Sequence, residues 1–150
     1  MANTFETMSA YLKQHSILTL ATIGADGNPV LDTVDYMWTG ESLFFFTDLR
    51  SRKAANMKNN PYIAAIVTEQ DAEFLTAKSV EIYGTVKICE EPAKIGAYMQ
   101  NFMTRRPQFA SLPPNPEIQH NMAVYEIIPT KLRMLDNTIA PGNIDELEIA

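Results

Sequence analysis

Residues 16–38 read SILTLATIGADGNPVLDTVDYMW, and this stretch limits the folds open to the chain more than any other. Two runs rich in β-branched residues flank Asp26-Gly27. An Asp-Gly pair supplies the positive backbone angles of a tight hairpin, so the runs are expected to pair antiparallel. The same grammar continues downstream. TGES is a second turn and LFFFT a third strand. PYIAAIVTE is continuously apolar, which predicts a strand buried on both faces. AKSVEIYGTVKICE alternates, with Val80, Ile82, Gly84, Val86 and Ile88 on one face, and its central Gly84 marks a bulge or bend. VYEIIPTKLRMLD reads as a last strand pair broken at Pro129. Strands that arrive as hairpins, without βαβ units, make an antiparallel barrel the simplest closed solution.

Three helices complete the expectation, giving six or seven strands and three helices in all. TFETMSAYLKQH spaces Phe5, Met8, Tyr11 and Leu12 at helical intervals. LRSRKAANMKNN is a short helix capped by Asp48 or Ser51 and stopped by Pro61. EPAKIGAYMQNFMTRR opens with Pro92 near the first helical position. PQFASLPPNPEIQ, with four prolines, is expected to be a loop. Nothing marks a domain boundary, so residues 1–150 are expected to form one domain. Its acidic tail, about 137–150, is expected to be mobile or to dock on a partner.

Charge narrows the function. The net charge is −6, and a broad basic surface for nucleic acid or an anionic membrane is not expected. The start of the chain lacks the basic and apolar segments of a signal peptide, and no apolar run approaches the ~20 residues of a membrane span. A single cysteine, Cys89, fits a reducing compartment. The chain is therefore expected to be soluble and cytoplasmic.

Against that acidic background, Arg50, Arg52 and Lys53 crowd one strand-to-helix junction. Cations at a helix N-terminus oppose the helix dipole, and an anion seated there relieves the conflict. Two readings stand: a phosphate site with Ser51, Arg52 and Lys53 as donors, or a solvated polar face. Thr33 and Asp35 likewise either face solvent or point into a ligand groove. Arg105 and Arg106 suit the C-terminus of their helix. Tyr98, Phe102 and Phe109 read as core before they read as cover for a planar ligand. No HxH, HExxH, GxSxG, GxGxxG or GxxxxGK[ST] motif is present, so no metal, Rossmann or P-loop site is expected.

Three segments in order, LATIGADGNPVLDTVDYMW, LFFFTDLRSRKAANMKNNPYIAAIV and SVEIYGTVK, resemble the pyridoxamine 5'-phosphate oxidase-like family of flavin mononucleotide (FMN)-binding split barrels. The resemblance implies a mainly β fold with flanking helices: a six-stranded antiparallel Greek-key split barrel. It implies a homodimer with FMN at the interface. By the same resemblance, Asp32, Thr33, Val34 and Asp35 lie along the flavin ring. Phe46 and Thr47 lie near the ribityl chain and phosphate, Ser51, Arg52 and Lys53 grip the phosphate, and Ser79 adds a contact to ring or tail. Arg106 matches the arginine that holds the substrate phosphate, with Phe102 beside it. Departures argue against classical oxidation of pyridoxamine phosphate. Asp32 stands where the oxidase carries arginine, Phe102 where it carries tyrosine, Ala110 where it carries serine, and the C-terminal Arg-x-His is missing. The expected function is that of an FMN-dependent oxidoreductase or flavin reductase-like protein using a small-molecule substrate or electron donor such as NAD(P)H. The alternatives are a non-catalytic flavin sensor or storage module, or the same fold holding a deazaflavin or haem.

Overall fold

The computed structural model describes residues 4–69 and 73–149. A first helix, α1 (Thr4–Gln14), leads into the expected hairpin of β1 (Ile17–Ile23) and β2 (Pro29–Asp35). Gly27 sits at φ +82° in its turn, a conformation that side chains disfavour. The short β3 (Met37–Trp38) pairs with β4 (Leu43–Asp48), and α2 (Arg52–Asn59) follows. Next come β5 (Tyr62–Thr68), β6 (Lys78–Ile88), α3 (Pro92–Arg105), α4 (Pro116–Asn121), β7 (Met122–Asp136) and β8 (Ile144–Glu148).

All pairings are antiparallel, in the order β2-β1-β5-β6-β7-β4-β3, with β8 on β7. The sheet curls into the expected mainly β half-barrel. Its six long strands are joined by two short ones, β3 and β8. The curl encloses a core of alternate side chains, including Leu18, Leu20, Phe45, Val67, Ile82 and Leu132. The first helix closes this core with Met8 and Leu12. Tyr36 donates to the Leu12 carbonyl at 2.6 Å, and Trp38 Nε1 donates to Ser9 Oγ at 2.8 Å. A second, smaller cluster, Phe44, Cys89, Tyr98, Phe102 and Val124, fixes α3 to the outside of β4 and β7. No described helix is long and apolar enough to cross a membrane.

Four expectations are corrected. The segment around Pro129 is one fifteen-residue strand, not a broken pair. Its register slips opposite Tyr83 and Gly84, where Thr130 bulges out, so the proline sits where a ladder N–H is dispensable. A Cβ on Gly84 would lie 2.1 Å from the Ile128 carbonyl oxygen, so only glycine admits this approach. Within the acidic tail, Ile144–Glu148 form a strand on β7 in place of a mobile end. Arg133 donates to Glu146 there at 3.1 Å and to Glu81 of β6 at 2.6 Å, while Leu147 and Ile149 pack on the core. β5 alternates between buried and partly open positions, because one of its faces lies outside the curl. The proline-rich loop contains a 3₁₀ turn over Pro107–Ser111 and α4, whose Asn115 accepts from the amides of Glu117 and Ile118.

Candidate functional site

The sheet is split between β2 and β4, which no ladder joins. A cavity of about 410 Å³ opens there, against the end of α3 and the start of α2. β2 contributes Thr33, Val34 and Asp35, β4 contributes Phe46 and Thr47, and α2 contributes Lys53. Phe102 and Arg106 close the side formed by α3, together with Gln108 and Phe109. Strand periodicity explains the first group. Val34 turns into the core, so Thr33 and Asp35 point outward to the split.

The basic junction divides its work. Arg50 folds back on Asp48 in a two-pronged contact, Nε to Oδ1 at 3.0 Å and Nη2 to Oδ2 at 2.7 Å. Those hydrogen bonds hold the Asp48 carboxyl down to about 2. Ser51 caps α2: its Oγ accepts from the Ala54 amide at 3.3 Å and donates to the Asp48 carbonyl at 2.7 Å. Arg52 leans across to β2, donating to the Leu31 carbonyl at 2.8 Å and standing 3.5 Å from Asp32. Asp32 keeps one buried carboxylate oxygen, Oδ2, without a hydrogen-bond partner. Lys53 alone of the cluster lines the cavity, and it pairs with no acid among the described residues. Of the first amides of α2, that of Ala54 goes to Ser51 Oγ and that of Ala55 to the Ser51 carbonyl, which leaves those of Arg52 and Lys53 ahead of the first helical hydrogen bond.

The opposite wall is built on an ion-pair bridge that spacing along α3 alone did not suggest. Asp35 sits between Arg105 and Arg106, each with a guanidinium nitrogen 2.8 Å from one of its oxygens. The Arg105 contact is close without hydrogen-bond alignment, so it is a charge contact. Arg106 also donates to Ser16 Oγ at 3.2 Å, and Arg105 Nε to Asn101 at 2.7 Å. Both arginines therefore tie α3 to β2 in addition to ending the helix. Behind them Phe46, Phe102 and Phe109 meet edge to face, with centroids 4.9 Å and 5.0 Å apart along the series. Phe102 is buried while Phe109 is half open, so the aromatic group is core on one side and cavity wall on the other.

Ser79 is buried on β6, opposite Thr68 and Leu135, and does not reach this cavity within the chain. Asp32, Ser51 and Arg52 adjoin the cavity without lining it. Sequence reasoning missed Gln108 as a lining residue, because the segment carrying it looked like a loop with no periodic signal. Elsewhere, Cys89, Glu91 and Glu126 hold ligand-type atoms within 4.8 Å of one another. Lys94 lies 2.8 Å from Glu91 and 3.4 Å from Glu126, so these carboxylates are already balanced by an ammonium.

The donor set fits FMN. Two lining cations, Lys53 and Arg106, and the start of α2 suit a phosphate, the edge strand at residues 33–35 offers backbone groups to a ring, and aromatic side chains flank the space. Similarity to known proteins identifies the family. Residues 4–136 match the sequence model of the family described as pyridoxamine 5'-phosphate oxidase. A pyridoxine/pyridoxamine 5'-phosphate oxidase of Crocosphaera subtropica is 30% identical over 108 residues, covering 71% of this chain. The chain spans 46% of that relative's length. A haem binding protein from Mycobacterium smegmatis shares the fold at a TM-score of 0.78, with 13% identity over 99% of this chain and 59% of its own. An F420 reductase is similar at a TM-score of 0.66, with 25% identity over 88% of this chain and 98% of its own. The fold, the split-barrel cavity and the match over nearly the whole described chain lead to one conclusion: this chain belongs to the pyridoxamine 5'-phosphate oxidase family.

Proposed function

We propose that the chain is an FMN-binding oxidoreductase or flavin reductase-like protein with its cofactor in the β2–β4 cavity. The observation that carries this reading is Lys53, a cation lining a cavity opposite Arg106, between aromatic rings and the edge strand β2. Bound FMN would supply the hydride or electron transfer. Lys53, the amides of α2 and, at longer reach, Arg52 neutralise the phosphate, with Ser51 holding the turn in place. Phe46 and Thr47 line the path between phosphate and ring. The backbone of residues 33–35 hydrogen-bonds the ring edge, and Asp35 fixes Arg105 and Arg106 beside it. Asp32 faces Arg52 where an arginine would otherwise meet the ring.

Ser79 lies outside this cavity, so its assignment to the cofactor requires a second copy of the chain. A homodimer with FMN at the interface is supported by an outward row across four strands. Leu31 faces Ala21, Ala21 faces Ala64, and Ala64 faces Tyr83. Leu31 and the adjacent Tyr62 are 62% and 66% exposed, a large apolar area to leave in water.

The double variant Arg52→Ala/Lys53→Ala is expected to lose FMN during purification, and full FMN occupancy in that variant would sink the phosphate assignment. Likeness to an F420 reductase supports a second reading, a deazaflavin in the same cavity, which the absorption spectrum distinguishes. Rapid reduction of the bound flavin by NAD(P)H would exclude the sensor or storage role.

A further inference from the structure

Beyond the ring series Phe46, Phe102 and Phe109 lies a second cavity of about 630 Å³, which shares those three rings with the first. Its remaining walls come from α3, through Ile95, Met99 and Met103, from the proline-rich segment, through Leu112 and Ile118, and from the start of β7 at residues 122–124. Two polar side chains reach it, Asn115 and Gln119, and the Asn115 oxygen is already used to cap α4. No charged residue lines it.

A volume of this size matches a small organic ligand. Two guanidiniums, Arg105 and Arg106, share the one carboxylate of Asp35, and Arg106 lines the first cavity; the second cavity has no charged side chain of its own to meet a phosphorylated or carboxylated molecule. Leu112 and Ile118 are 57% and 47% exposed, so the cavity is open and its apolar walls are uncovered. Methionine side chains bend to fit differently shaped apolar partners. Aromatic side chains in the wall favour a flat aromatic partner, which rings can meet stacked or edge to face.

We propose that this cavity binds a neutral, flat, apolar organic molecule, a binding that does not rest on the FMN reading. The probe is Nile red, a neutral flat dye that brightens in apolar surroundings, titrated into the intact protein with and without added FMN. Saturable binding of one dye per chain is expected. Menadione, which is neutral, should displace the dye, and pyridoxamine 5'-phosphate should not. Leu112→Glu puts a carboxylate in the wall and Ala110→Trp fills the space; each is expected to weaken dye binding at least tenfold. Thermal melting of both variants checks that they fold, and the two act by different means, so a failure of one to fold leaves the other decisive. Absence of saturable binding overturns the proposal, as does binding that neither folded variant weakens, or displacement by pyridoxamine 5'-phosphate in place of menadione. FMN content is measured on the same samples. Dye binding without FMN retention keeps the pocket and removes the flavin role, whereas FMN retention without dye binding does the reverse.

Discussion

Lys53 and Arg52 are neighbours in sequence but stand in different electrostatic settings. Arg52 is already held by the Leu31 carbonyl and Asp32, whereas Lys53 faces the cavity unpaired. Lys53→Ala should therefore weaken FMN binding by about 10–100-fold, the scale of one charge-assisted contact. Arg52→Ala should cost less, and quenching of FMN fluorescence in a titration measures both; a larger loss for Arg52→Ala would contradict this ranking. Lys53 also opposes the dipole at the start of α2, so Lys53→Ala should raise cofactor-free stability by about 0.3–1 kcal/mol. Asp48 gives a pH signature. Its carboxyl sits below its ordinary 3.8, at about 2, chiefly through the Arg50 hydrogen bonds. A depressed carboxyl contributes stability that is present above pH 3.8 and disappears as pH falls through about 2. Acid melts of Asp48→Asn should lose that part of the pH dependence; an unchanged profile between pH 4 and 2 would count against it.

At the scale of elements, β7 organises the fold. It carries β6 along one edge and, on the other, β4 at its first half and β8 at its second. The bulge at Thr130 lets one strand serve both halves, and Gly84 is what admits it. Gly84→Ala should destabilise by roughly 1–3 kcal/mol through overpacking against backbone. Leu147→Ala should cost about 1–2 kcal/mol, since β8 presses that side chain partly onto the core. Thermal or denaturant unfolding checks both. These elements also show what a sequence can and cannot announce. The opening hairpin and the glycine bulge were legible because Asp-Gly and a lone strand glycine each have one local cause. The tail was not, because its acidic residues look solvent-seeking until Arg133, on the preceding strand, is placed beside Glu146. The same holds for the site. The phosphate cluster is contiguous and stood out, whereas the Asp35–Arg105–Arg106 bridge joins residues some seventy positions apart and exists only once α3 lies against β2.

For the whole molecule, the proposed dimer through the outward row of Leu31, Ala21, Ala64 and Tyr83 would tie cofactor binding to assembly. A chain of 16.8 kDa is expected to run at twice that mass by light scattering. Tyr62→Glu should shift it toward the monomer and reduce FMN retention together, because the proposed dimer places the cavity at its interface. A monomeric wild type with full FMN would separate the two. The family assignment rests on the match over residues 4–136, and the cofactor reading rests on Lys53 and the cavity it faces. The most direct measurement is the visible spectrum of the purified protein, followed by identification of what it releases on denaturation. The account predicts a yellow protein releasing one FMN per chain; a haem spectrum, a deazaflavin, or a protein that stays colourless and does not take up added FMN would contradict it.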